Sequence, residues 1–220
     1  MTEQTEYTQD IARFFRDKFQ AQGGTLVFDE EFLPGTIDFR TLAARIRRAD
    51  PEAIFVPTQT GNALGLFLRQ WHEAKGAIDI PVHTTFVAGP NREAHVAAGE
   101  LIVGVHYMDP AFSESNERRK QLFLTYKELF GSEPTIPFHT AGIADTLDLL
   151  SGYLKENSRF DEEKFRKFLL AVRNYDGMLG ELSFDEHGNT TIGFRMTRIE
   201  NSLVEKDNNR VERTKDRHLP

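Results

Sequence analysis

Cysteine is absent from this 220-residue sequence, which excludes disulfides and thiolate metal sites outright. Basic charge is short: 27 lysines and arginines against 34 aspartates and glutamates leave a formal net charge of −7, the wrong sign for a nucleic-acid or anionic-membrane surface. No apolar run approaches the ~20 residues that span a bilayer. The polar, acidic opening MTEQTEYTQD carries neither the basic nor the apolar region of a signal peptide. Enzyme motifs are missing too. No GxGxxG or GxxxxGK(S/T) loop follows an expected strand, and there is no GxSxG elbow or Ser-x-x-Lys pair. The seven histidines, His83, His95 and His106 among them, form no metal-spaced pair on a helix. These absences predict a binding protein, with no catalytic residues, no metal and no cofactor.

What is present is an ordinary globular balance, 39% apolar and 28% charged, with an unusual 18 phenylalanines against one tryptophan and five tyrosines. The pattern predicts α/β: an open, mostly parallel, doubly wound sheet with added helices and a C-terminal β-hairpin. A helix is expected over 9–22, with Ile11, Phe14, Phe15 and Phe19 inward and Gly23-Gly24 as its stop. The expected strands are TLVFDEEF (25–32), AIFVPT (53–58), IPVHTTF (80–86) and LIVGVHYM (101–108). Between them come a helix carrying Phe39, Leu42 and Ile46, a helix carrying Leu64, Phe67, Leu68 and Trp71, and a short helix over 91–98. This βα rhythm implies right-handed crossovers. Three helices follow, near 115–130, 139–155 and 161–173, the second with an apolar stripe of Ile143, Leu147, Leu150 and Leu154. Asp161 reads as the cap of the third. A hairpin is expected over 181–196, turning at Glu186–Asn189, and the charged tail 205–220 is expected to be flexible.

In open α/β sheets ligands bind beyond the carboxyl ends of the strands. Those ends read PTQTGN (57–62) and HTTFVAG (83–89), so Thr58, Gln59, Thr60 and the Gly61 backbone offer hydrogen-bonding groups and Phe86 an apolar wall. The plainer reading is that they are turn and cap residues.

The ordered segments EYTQDIARFFRDKFQAQGG, FLPGTIDF, DPEAIFV, FLRQWHEAKG, AAGELIVGV, FLTYKELFGSEPTIPF, ADTLDLLSGYL and GELSFDEHGNT resemble the C-terminal lobe and return segments of type I periplasmic solute-binding proteins. The branch is that of branched-chain amino-acid ABC transporters, and the N-terminal lobe has no counterpart here. The resemblance implies a ligand-binding lobe made of 1–112 and 177–204, and a helical segment 113–176 that would pack on the other lobe. It implies a small amino-acid-like, carboxylic or aromatic solute in an interlobe cleft, an ABC permease as partner, and a periplasmic or extracellular place. It assigns solute contact to Tyr7, Thr60 and Gly61, and puts Phe138 and His139 on a hinge-proximal segment lining the cleft.

Phe86 stands at or beside the position where amino-acid-binding members carry the carboxylate that pairs with the ligand ammonium. A buried unpaired ammonium costs several kcal/mol or more, so aromatic or aliphatic acids, or amides, become the expected solutes. The family's central strand, which precedes the EY helix, is also expected to be missing, because MTEQTE does not read as one. TLVFDEEF and AIFVPT would then flank a gap: either the chain is a piece of a longer precursor, or the gap is closed by the flanking strands themselves, by a homodimer partner, or by a separate chain supplying the first lobe. A sensory or regulatory ligand-binding domain of the same fold, or a non-binding remnant, is the alternative function.

Overall fold

A computed structural model of the chain describes residues 1–74, 80–110, 116–134 and 136–203. The tail expected to be flexible lies outside the described residues. The chain divides into two compact units, Met1–Met108 with the segment from Met196 onward, and Asp109–Arg195.

The first unit is built on the expected βα alternation. Helix α1 (Glu6–Ala21) starts at a capping box in which Thr5 and Thr8 exchange side-chain and backbone hydrogen bonds. Its buried positions are Thr8 and Ala12, whereas Phe14 faces solvent, so the expected inward stripe is shifted around the helix axis. Helix α2 (Arg40–Arg48) buries Ala43 and Ile46, and α3 (Gly61–Glu73) buries Leu64, Phe67, Leu68 and Trp71 as read. Phe32, Phe39, Phe67 and Trp71 form a chain of ring contacts through this core. Helix α4 (Arg92–Ala98) is capped by Asn91 and lies hard against α3. A Cβ on Gly65 would stand 2.5 Å from the Ala97 Cβ and 2.7 Å from the Ala94 carbonyl oxygen, so only glycine permits this approach.

The sheet corrects the expected gap. Residues Thr2–Glu3 form a strand, β1, parallel to β2 (Glu31–Phe32). The Thr2 N–H donates to the Glu30 carbonyl at 2.9 Å and the Gln4 N–H to the Phe32 carbonyl at 2.8 Å. On its other side Glu3 N–H donates to the Pro57 carbonyl at 3.2 Å and the Met1 ammonium to the Phe55 carbonyl at 3.1 Å. MTEQ therefore lies between the two runs it was expected to leave apart. Its polar side chains disguise it: Thr2 and Glu3 are both buried, and the Glu3 carboxylate is satisfied there by hydrogen bonds. Beyond it β3 (Ile54–Phe55), β4 (Val82–Thr84), β5 (His106–Pro110) and β8 (Phe194–Arg198) follow in that order. The pairings of β3 with β4 and of β4 with β5 are parallel.

Two expected strands are shorter than read. TLVFDEEF is a ladder only at Glu31–Phe32, where β1 lies beside it. LIVGVHYM opens with a 3₁₀ turn, Gly99–Ile102, and the chain becomes extended only at His106. Gly99 and Gly104 sit at φ of 63° and 95°, conformations that end an extended run.

The second unit contains α5 (Glu117–Phe130), α6 (Pro137–Glu156), α7 (Glu162–Ala171) and the antiparallel pair β6 (Tyr175–Gly177) and β7 (Gly180–Leu182). Asp161 caps α7 as read, accepting from the Lys164 N–H at 2.9 Å. The buried face of α6 is Ala141, Asp145, Leu149 and Tyr153, while Ile143, Leu147 and Leu154 are exposed. Asp145 accepts from the Met178 and Leu179 N–H groups at 2.6 and 2.9 Å and so holds the tight turn between β6 and β7. The hairpin expected over 181–196 reduces to one bridge, Phe184 to Thr190, around a turn held by Asp185. Strand β8 joins the sheet of the first unit instead.

Candidate functional site

In the first unit the carboxyl ends of β1, β3 and β4 converge, and most of the candidate residues stand there. Thr58, fully buried, follows β3 by three residues, and Thr84 and Thr85 close β4. The Thr85 hydroxyl donates to the Thr58 carbonyl at 3.1 Å and the Thr84 hydroxyl to the Val56 carbonyl at 2.8 Å, pinning the ends of the two strands together. Tyr7 enters from the first turn of α1 and approaches Thr85. Burial pushes the Tyr7 phenol up, and the neighbouring Thr85 side chain offsets only part of this. Among the described residues the phenol oxygen nevertheless makes no hydrogen bond of acceptable geometry, and neither does the Thr58 hydroxyl. Two buried hydroxyls without partners at the mouth of one sheet are unusual, since a buried polar atom left unpaired costs on the order of 1–3 kcal/mol.

Glu3 is the residue that the sequence reading missed. It is fully buried, and its carboxylate accepts from the Gln59 N–H at 2.7 Å, the Thr60 N–H at 3.3 Å and the Thr60 hydroxyl at 3.3 Å. Thr60, the N-cap of α3, consequently makes no side-chain cap of its own helix. The backbone N–H groups of Gln59 and Thr60 and the Thr60 hydroxyl are thus directed toward Glu3. Thr2-Glu3-Gln4 carries no apolar alternation, so the sequence held no strand signal here, and a charged residue in such a run reads as surface.

Gly61 opens α3 in close contact with α4. A Cβ there would lie 2.8 Å from the Ala94 nitrogen and from the Asn91 side chain, so this glycine serves helix packing. Phe86 is half-buried just beyond β4. Phe138 and His139 lie in the second unit, in the first turn of α6, with their rings 5.7 Å apart and Phe138 also 6.5 Å from Phe194. The first unit therefore gathers Tyr7, Thr58, Gln59, Thr60 and Gly61 at one sheet end, with Phe86 in the loop after β4.

His83 and His106 occupy paired positions on β4 and β5, and their rings stack at 5.0 Å. Burial, and then the neighbouring His106, push His83 below the usual histidine range. Among the described residues no three histidine, aspartate or glutamate side chains gather as a metal site. No helix among them is long and apolar enough to cross a membrane.

The sequence matches the periplasmic binding protein family over residues 1–203. Solved structures share the fold. A leucine-binding protein from Thermotoga maritima superposes with a TM-score of 0.79 at 22% identity, over 91% of this chain and 57% of that one. A branched-chain amino acid transporter substrate-binding protein from Streptococcus pneumoniae, in complex with isoleucine, gives 0.73 at 23%, over 91% and 56%. An ABC-transporter solute-binding protein from R. palustris, in complex with benzoate, gives 0.71 at 16%, over 91% and 54%. The chain spans a little over half the length of each of these proteins.

Proposed function

The chain belongs to the periplasmic binding protein family, and from that premise we propose that it forms part of the solute-binding component of an ABC-type uptake system. The first unit supplies one wall of a small-solute site in an interlobe cleft, outside the cytoplasm, and the protein binds without catalysis. The observation that carries this reading is the pair of buried, unpartnered hydroxyls, Tyr7 Oη and Thr58 Oγ1, at the carboxyl ends of the strands. A solute that hydrogen-bonds to both removes their desolvation cost, which converts a structural penalty into affinity.

The solute class follows from charge. Phe86 supplies no anion, and Glu3, the buried carboxylate near the site among the described residues, already accepts three hydrogen bonds. An ammonium group therefore finds little free anionic partner, and a carboxylic or aromatic solute that accepts from the two hydroxyls fits better. Benzoate, held by the R. palustris protein, is of this chemical class.

The test is a thermal-shift panel of branched-chain amino acids, benzoates, aliphatic acids and amides, since a ligand of the folded state raises the melting temperature by mass action. Acids shifting the chain more than the corresponding amino acids is the expected result. No shift across the panel from a folded sample would sink the proposal.

A further inference from the structure

One face of the first unit's sheet carries a second group of donor side chains, apart from the Tyr7 and Thr58 hydroxyls. His83 on β4 and His106 on β5 are register partners, so both project to the same face, and their rings stack at 5.0 Å. The Nδ1 atom of His106 is buried and has no hydrogen-bond partner among the described residues. Strand alternation puts Met108, two residues beyond His106, on that face, and Tyr107, which packs against the core, on the other. Strand β8 is the next neighbour of β5. Its Met196 lines one hollow together with His83 and Met108. Strand β3 stands between this group and β1.

Two imidazoles and two thioethers thus share one patch of sheet. Neighbouring strands lie about 4.8 Å apart and alternate residues of one strand about 7 Å apart. The methionine side chain, unbranched and with three rotatable bonds, spans such gaps. Met108 and Met196 are 39% and 54% exposed, so both sulfurs are reached from solvent without unfolding.

The donor set selects its ion. A thioether is a soft, neutral ligand that favours Cu(I), whereas imidazole suits several metals and oxygen ligands suit the harder ones. Four neutral donors leave a bound Cu(I) its single positive charge, which a partly solvated face tolerates and a dry core would not.

We propose that His83, His106, Met108 and Met196 bind one Cu(I) ion, the two imidazoles supplying nitrogen and the two thioethers completing a four-coordinate site. The ion enters and stays as Cu(I), so no electron transfer is involved. The site is separate from the solute site at the strand ends.

The probe is Cu(I) itself, kept reduced with ascorbate under nitrogen and presented to the untagged full chain as its coloured bicinchoninate complex. The chain is expected to withdraw one equivalent, seen as loss of colour. Zn(II) is expected to bind at least tenfold more weakly, because thioethers offer it little. Met108→Leu combined with Met196→Leu removes both sulfurs at nearly constant volume and should weaken Cu(I) binding at least tenfold. Copper-edge X-ray absorption of the unmodified loaded chain should show sulfur as well as nitrogen neighbours, a readout that needs no variant to fold. No transfer of copper with the chain in excess, Zn(II) binding as tight as Cu(I), unchanged affinity in the folded double variant, or a copper shell without sulfur would each overturn the proposal.

Discussion

The Thr58 hydroxyl is fully buried and unpartnered, so its removal separates stability from binding. Thr58→Val should hold or raise the melting temperature, by the equivalent of up to ~1 kcal/mol, while abolishing the shift caused by solute. Loss of stability would place the hydroxyl in a structural role instead. Glu3→Gln keeps the shape and removes the charge that holds the Gln59 and Thr60 N–H groups. It should cost roughly 1–3 kcal/mol in urea unfolding, and a change below about 0.5 kcal/mol would contradict the role assigned here. Burial lowers His83, with His106 adding to the effect, and His95, whose bond to the Gly89 carbonyl opposes it. Both bind protons more weakly folded than unfolded, so stability rises with pH up to the ordinary histidine value of about 6.5. Unfolding midpoints measured from about pH 5 to pH 7 should climb, and a flat or falling profile would refute the assignment.

At the level of elements, the contact between α3 and α4 holds the loop after β3 in place. Gly65→Ala puts a Cβ into the Ala94 carbonyl and the Ala97 methyl, backbone and a rigid side chain, so the helices must part, at a cost of about 1–3 kcal/mol by thermal or urea unfolding. The same substitution at Gly152, where a Cβ meets nothing within 4 Å, should be neutral or stabilising. Helices were the most legible elements of the sequence, because a 3.6-residue stripe such as Leu64, Phe67, Leu68 and Trp71 is long enough to be unambiguous. Strands were less so. Here they run from two to five residues, and whether an apolar run forms a ladder depends on a neighbour that can lie far away in sequence. The stripe Ile143, Leu147 and Leu154 was correctly seen as a stripe, but it is exposed, and α6 buries the face of Asp145 and Tyr153.

For the molecule as a whole, that exposed row borders a shallow cavity lined by Leu147, Leu150 and Leu154 in the second unit. Contiguous exposed apolar surface promotes association. Light scattering should show concentration-dependent self-association, and Leu147→Glu should reduce it while leaving stability within about 0.5 kcal/mol. A monomer at all concentrations would show that the row is innocuous.

The sequence by itself determined the fold class and family, because hydrophobic periodicity and the order of short motifs are written locally along the chain. It also offered Thr58, Thr60 and Phe86 as candidates, since in an α/β sheet the loops after the strands are where ligands are met, and Tyr7 through the family resemblance. Only the tertiary structure decided that MTEQ is a strand, that Glu3 engages the amides of Gln59 and Thr60, and that the Thr58 and Tyr7 hydroxyls are left without partners. Those are matters of pairing between residues distant in sequence, such as Glu3 with Pro57 and Thr85 with Thr58. A polar side chain reads as surface until its partner is known.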